Sequence, residues 1–178
     1  MLNAPASPTA GQIRLATSSP STGPTTALTI QQIHTLAFRA AKSHVDILLL
    51  PEAYIGGYPR GSSFGCVIGG RSAEGRDEFV KYFESAVDLG DSVGDGAGGG
   101  DSWVRREMEG DGVEGLEEGH KGKMRGDGTR EELEHIAADT GVFIVVGLIE
   151  KAGGSLYCAV VYVCPQRGMI GKRRKVMP

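Results

Sequence analysis

The sequence predicts an α/β fold, and three stretches carry that expectation. Val45 to Leu50 is a short, unbroken aliphatic run, the pattern of a strand buried on both faces of a sheet. Just before it, Ile30, Ile33, Ala37, Ala40 and Ala41 recur at helical spacing with Leu36 beside them, so a helix packs on that sheet. A second aliphatic run, Val142 to Ile149, turns back through Lys151-Ala152-Gly153-Gly154 into Ser155 to Val163, which makes an antiparallel hairpin.

Taken in order, Met1 to Gln12 is rich in Ala, Pro, Ser and Thr and lacks the basic start and apolar stretch of a secretory signal, so residues 1–12 read as a loose tail. Ile13 to Thr17 is the first strand, ended by the Ser18-Ser19-Pro20 to Pro24 cluster. The helix that follows starts at Thr25 or Thr29, and His34 and His44 are ordinary residues of it or beside it. Beyond the Val45 strand, Gly56-Gly57 and Pro59 make a turn. Ser72 caps a helix running to about Val87, whose buried stripe is Phe79, Tyr82, Phe83, Ala86 and Val87. Thr129-Arg130-Glu131-Glu132 has the form of a capping box, and its helix ends near Thr140-Gly141 after burying Leu133, Ile136 and Ala137. Pro165 to Gly168 turns the chain once more into Met169 to Lys172.

Between these helices the composition changes. From Leu89 to Gly128 (89–128) the chain is Gly-rich and charged with few apolar anchors, which predicts a solvated, mobile insertion in a single domain spanning 13–178. Its glycines are followed by no Gly-Lys-Ser/Thr, and its Asp-Gly alternation lacks the terminal Glu of a calcium loop. Trp103, with Val104 and Met108, is expected to dock one short turn. The three cysteines, Cys66, Cys158 and Cys164, are too few for a disulfide framework, so the expected compartment is reducing and cytoplasmic. A net charge of −3 argues against a nucleic-acid partner, and no run has the length of a membrane span. Nothing calls for a metal or cofactor.

Glu52 is the candidate functional residue. Strands of α/β sheets place their chemistry at their carboxyl ends, and Glu52 stands where an aliphatic strand breaks into a Gly/Pro turn. Half desolvated on a rigid support, it is expected to have a raised pKa, suited to a base. Cys158 and Cys164 lie in or at the edge of a strand, where free cysteine serves as a small hydrophobe, and neither follows the strand-then-sharp-turn pattern of an exposed nucleophile. Cys66 lies in a Gly-rich loop and is slightly more open.

Leu50-Pro51-Glu52-Ala53-Tyr54-Ile55-Gly56-Gly57-Tyr58-Pro59-Arg60-Gly61, then Phe64-Gly65, resembles the glutamate segment of nitrilases. Gly69 to Phe79, Val146 to Glu150, Leu156-Tyr157-Cys158, Pro165-Gln166 and Gly171-Lys172-Arg173-Arg174-Lys175-Val176-Met177-Pro178 follow in that family's order. The resemblance implies a partial α-β-β-α sandwich of the carbon-nitrogen hydrolase type, incomplete at the C-terminus. It implies hydrolysis of a nitrile to a carboxylic acid and ammonia through a covalent thioester, with Glu52 as general base, Lys175 stabilising charge on nitrogen, and no metal. Small nitriles or amides are the implied substrates, and a homo-oligomer the implied state of the longer protein. Arg173 departs from the family's usual His, which touches local loop geometry. The family's nucleophile lies downstream in a Cys-Trp-Glu segment that these 178 residues do not include, so the expectation is an amino-terminal half, inactive alone and exposing apolar surface and a sheet edge. Amide hydrolysis, cyanide hydration and a non-catalytic assembly role remain alternatives.

Overall fold

The computed structural model describes residues 11–59, 66–67, 70–91 and 126–175. Most of the predicted tail, Trp103 with the bulk of the charged stretch, the Cys66 side chain and the last three residues lie outside the described residues. Strand β1 (Leu15–Thr17) leads to helix α1 (Thr26–Lys42) and strand β2 (Ile47–Leu49). Two short strands, β3 (Cys66–Val67) and β4 (Gly70–Arg71), pair with each other and precede helix α2 (Ala73–Ser85). Helix α3 (Thr129–Thr140) then leads into β5 (Phe143–Ala152), β6 (Ser155–Cys164) and β7 (Gly168–Arg174). The main sheet has the order β1-β2-β5-β6-β7, parallel from β1 to β5 and antiparallel from β5 to β7.

Local chemistry sets the boundaries. The Thr25 hydroxyl accepts from Leu28 N and starts α1, whose buried row is Thr29, Ile33, Ala37 and Ala40. Ser72 caps α2 as expected, by accepting from Gly75 N, but Phe79, Tyr82 and Phe83 are only half-buried. The expected capping box of α3 is not formed. Gly128 occupies the cap position with a positive φ, Thr129 is inside the helix, and the side chain of Asp127 accepts from Thr129 N instead. Gly153 and Gly154, both at positive φ, close the β5–β6 hairpin, a two-residue turn that suits the twist of the strands.

Helices α1 and α3 pack together over one face of the sheet. Ala16, Leu48, Ile144, Val146, Val161 and Val163 point into that core. The opposite face corrects the expectation of strands buried on both sides: Leu15 is 69% exposed and Leu49 46%. Register places Ile47, Phe143, Val145, Val160 and Tyr162 on the same side as these two leucines. Among the described residues, its Ile149 end is closed by Ala53, Ala86 and Tyr82.

The described residues that flank the charged stretch meet at one point. Asp127 N donates to Asp88 O (2.9 Å), and Asp88 N donates to the Asp127 carboxylate (2.9 Å). Leu89 is buried, and Asp91 reaches a buried ionic cluster on the core face. There Lys172 pairs with Glu150 and Asp91, while Arg174 donates to both Glu150 oxygens (2.8 and 2.9 Å) and lies over the Tyr157 ring. Inward-pointing Lys172 and Arg174 thus fix β7, and strand alternation turns Arg173 and Lys175 to the other face.

Candidate active site

Glu52 sits on a turn pinned to β5 on both sides. Leu50 N donates to Val145 O (2.9 Å), Gly147 N to Pro51 O (3.1 Å) and Ile55 N to Gly147 O (3.1 Å). Ala53, next to Glu52, has φ 51°, the left-handed region that non-glycine residues rarely adopt. Residue 147 must be glycine: a Cβ there would lie 2.5 Å from Pro51 O and 2.6 Å from Glu52 Cα. Close backbone approach is therefore what holds the carboxylate at the sheet's end.

Lys175 arrives from β7, one residue past Arg174. Its N–H donates to Cys158 O (2.7 Å), prolonging the β6–β7 ladder, and its Nζ donates to Glu52 Oε1 (2.7 Å). The two residues that the sequence singled out, 123 positions apart, meet as an ion pair that is half exposed, 54% for Lys175 and 49% for Glu52. Beside them lies an open cavity of about 310 Å³, lined by Leu49, Gly147, Cys158, Val160 and Arg173 as well as the pair. Among the described residues, no group of three or more His, Cys, Asp or Glu is arranged to hold a metal, and no helix is long and apolar enough to cross a membrane.

The electrostatics correct one expectation. The Glu52 carboxyl is lowered from 4.5 to about 2, because hydrogen bonds from Lys175, then Tyr58, then Cys158 favour the charged form and outweigh desolvation. Lys175 is raised by the same hydrogen bond and charge. Tyr58 is raised as well, chiefly because its hydroxyl donates to Glu52. The resting state is an ionised, hydrogen-bonded pair, and its low pKa makes Glu52 a weaker base than an ordinary carboxylate.

The sequence suggests a small hydrophobe at Cys158, but its thiol donates to Glu52 Oε1 at 3.3 Å. Strand alternation was the signal that would have found it: with Ala159, Val161 and Val163 facing the core, Cys158 and Val160 face the Glu52 side. Burial raises the thiol, and the Glu52 carboxylate raises it further. Tyr58, also missed, follows the Gly56-Gly57 turn that returns the chain over Glu52. Cys164 lies at the other end of β6, where its thiol donates to Gln166 Oε1 (3.2 Å).

The sequence profile of carbon-nitrogen hydrolases matches residues 13–178. A nitrilase of Bradyrhizobium diazoefficiens is 36% identical over 156 residues, 87% of this chain and 37% of its own. An arylacetonitrilase of Trametes versicolor is 35% identical over 133 residues, 75% of this chain and 30% of its own. The chain thus spans about a third of the length of the curated relatives it matches. Among solved structures, an amidase from Nesterenkonia sp. AN1 superposes with TM-score 0.54 at 14% identity, covering 97% of this chain and 46% of the amidase. Saccharomyces cerevisiae Nit3 does so with TM-score 0.53 at 16% identity, covering 93% and 44%. These two similarities establish the fold, a mixed α/β sheet with helices, and the sequence match across both Glu52 and Lys175 establishes that the chain belongs to the carbon-nitrogen hydrolase family.

Proposed function

We propose that Glu52 and Lys175 belong to a nitrilase-type site that converts a nitrile to a carboxylic acid and ammonia through a covalent thioester. The observation that supports this most is the 2.7 Å contact between the Glu52 carboxylate and the Lys175 ammonium at the mouth of an apolar-walled cavity. A carboxylate relays the proton of an attacking thiol, and the ammonium stabilises charge gathering on nitrogen as the carbon is attacked. The family resemblance places the thiol of that reaction in a downstream Cys-Trp-Glu segment. Water hydrolyses the thioester after ammonia leaves.

The test is ammonia release from a panel of nitriles by a carboxyl-extended chain. Glu52→Gln is expected to lower turnover by about 10²-fold or more, the lower end of general acid-base contributions. Undiminished turnover in that variant would remove Glu52 from the reaction. The open sheet face around Leu15 and Leu49 favours a second reading, in which this chain assembles with longer relatives without catalysis. Light scattering with and without such a relative separates the two.

A further inference from the structure

We propose that Asp91, at the base of the charged stretch, is a positioning residue for the Glu52–Lys175 pair, acting from the opposite face of the sheet through Lys172 and Arg174. This rests on the reading of that pair as the charge carriers of the site. The side chains of Asp91, Glu150 and Lys172 are fully buried, and that of Arg174 is 13% exposed. Two carboxylates thus meet two cations, and the charges balance. Lys172 lies 2.5 Å from Asp91 and also meets Glu150, while Arg174 reaches Asp91 at 3.3 Å besides its two bonds to Glu150. Asp91 is the one member of this tetrad that is not on the sheet. The chain just before it is fastened to β5, where Val87 N donates to Ile149 O (2.9 Å) and Lys151 N to Val87 O (2.8 Å). Arg174 is joined directly to Lys175, so whatever holds the tetrad also sets where Lys175 begins.

A break in the β6–β7 ladder makes this grip necessary. Tyr162 pairs with Gly171 but Val163 with Met169, so Ile170 is an extra residue, and Met169 and Lys172 both point inward although they are three apart. Met169 N donates to Glu134 Oε1 (2.8 Å) and ties the first part of β7 to α3, but past the bulge that tie no longer decides which residues face in. Among the described residues β7 pairs with β6 alone, and a slip of one position would turn Lys175 inward, away from Glu52. Charge alone does not forbid the slip, because Arg173 and Lys175 are cations as well. The order of the cations does. The enclosed place between Asp91 and Glu150 holds a compact ammonium, whereas the two oxygens of Glu150 and the Tyr157 ring, 4.1 Å away, suit a planar guanidinium. Lys172 and Arg174 fit in that order, and Arg173 and Lys175 would arrive in the reverse one. Asp91 is the partner that marks the ammonium place.

The experiment is a carbon-13 NMR titration of the glutamate carboxyls of the 178-residue chain, with Glu52 assigned from Glu52→Gln. In Asp91→Asn the Glu52 value is expected to rise from about 2 toward 4.5, by about 1 pH unit or more, as Lys175 leaves it. The sign separates the explanations. Removing a negative charge lowers the Glu52 value if Asp91 acts only through space, and a role confined to stability leaves it unchanged in a chain that still folds. Asp91→Asn strands a buried cation, so the charge-balanced double variant Asp91→Asn, Lys172→Met is titrated beside it. Circular dichroism shows which variants fold, and the double variant should raise the Glu52 value too. Asp139→Asn, an exposed change on α3, is the control and should leave the value near 2. A Glu52 value that stays near 2 or falls in either folded variant overturns the proposal. Failure of both variants to fold makes the tetrad a requirement of folding alone and overturns it as well. A value near 4.5 in the unaltered chain removes the Glu52–Lys175 pair itself, whereas a value near 2 that ignores Asp91 removes only the positioning role.

Discussion

At the scale of single residues, the Glu52 carboxylate is the point on which three donors meet, and its ionisation reports their hold. Lys175 is the first of those donors, Tyr58 the second and Cys158 the third. Replacing Lys175 with Met should therefore raise the Glu52 pKa from about 2 toward the ordinary 4.5, and Tyr58→Phe should raise it less. Carbon-13 NMR titration of the labelled Glu52 carboxyl checks both. Because the folded value lies below the unfolded one, the pair's contribution to stability is complete above pH 4.5 and is lost as pH falls toward about 2. Lys175 has the opposite sign: its raised value adds stability below its ordinary 10.5, which is lost as pH rises through the folded value. Both side chains are half exposed, so salt screens the effect, and an unchanged Glu52 titration in Lys175→Met would show that the ion pair does not form in solution.

At the scale of elements, the turn after β2 is built by close backbone approach, and Gly147 is its condition. Gly147→Ala would drive a methyl group into Pro51 O and Glu52 Cα, so either β5 or the Glu52 turn must move. The expected cost is about 1–3 kcal/mol, as for other overpacked sites, read by urea denaturation, together with an altered Glu52 titration. A wild-type melting curve and titration would mean the turn has slack that Ala53, at positive φ, does not suggest. These elements also show which features were legible in the sequence. Helix α1 and the β5–β6 hairpin followed from periodicity and paired glycines, and the association of Glu52 with Lys175 from the family resemblance. The α3 cap did not, because Thr129 and Asp127 are both good capping residues and tertiary contact with Asp88 selects Asp127. Alternation along β6 puts Cys158 on the Glu52 face, but its place beside Glu52 also depends on β6–β7 register, which sets Cys158 level with Lys175. The lowered Glu52 pKa was hidden for the same reason: burial can be guessed from a strand's end, whereas the donors come from residues 6, 106 and 123 positions away.

At the scale of the whole molecule, the two faces of the sheet differ. One is sealed by α1 and α3, whereas the other presents a row of apolar side chains from Leu15 and Leu49 across Val145 to Tyr162. A layered domain gains its stability by covering such faces, and an uncovered one promotes association. The 178-residue chain is therefore expected to self-associate and to bind a hydrophobic dye at concentrations where a sealed domain would not. Covering one leucine contributes about 1.5–3 kcal/mol, and each 1.4 kcal/mol is a factor of ten in an equilibrium constant, so two leucines are enough to decide the state. The double variant Leu15→Lys, Leu49→Lys places charge on that row and leaves the core behind Leu48 in place, with Leu49 also a wall of the cavity beside Glu52. Sedimentation across a dilution series should show the wild-type chain assembling and the double variant monomeric, with the association constant at least about tenfold weaker. If both species run as monomers, or both assemble alike, the open row is not the surface through which this molecule meets its neighbours.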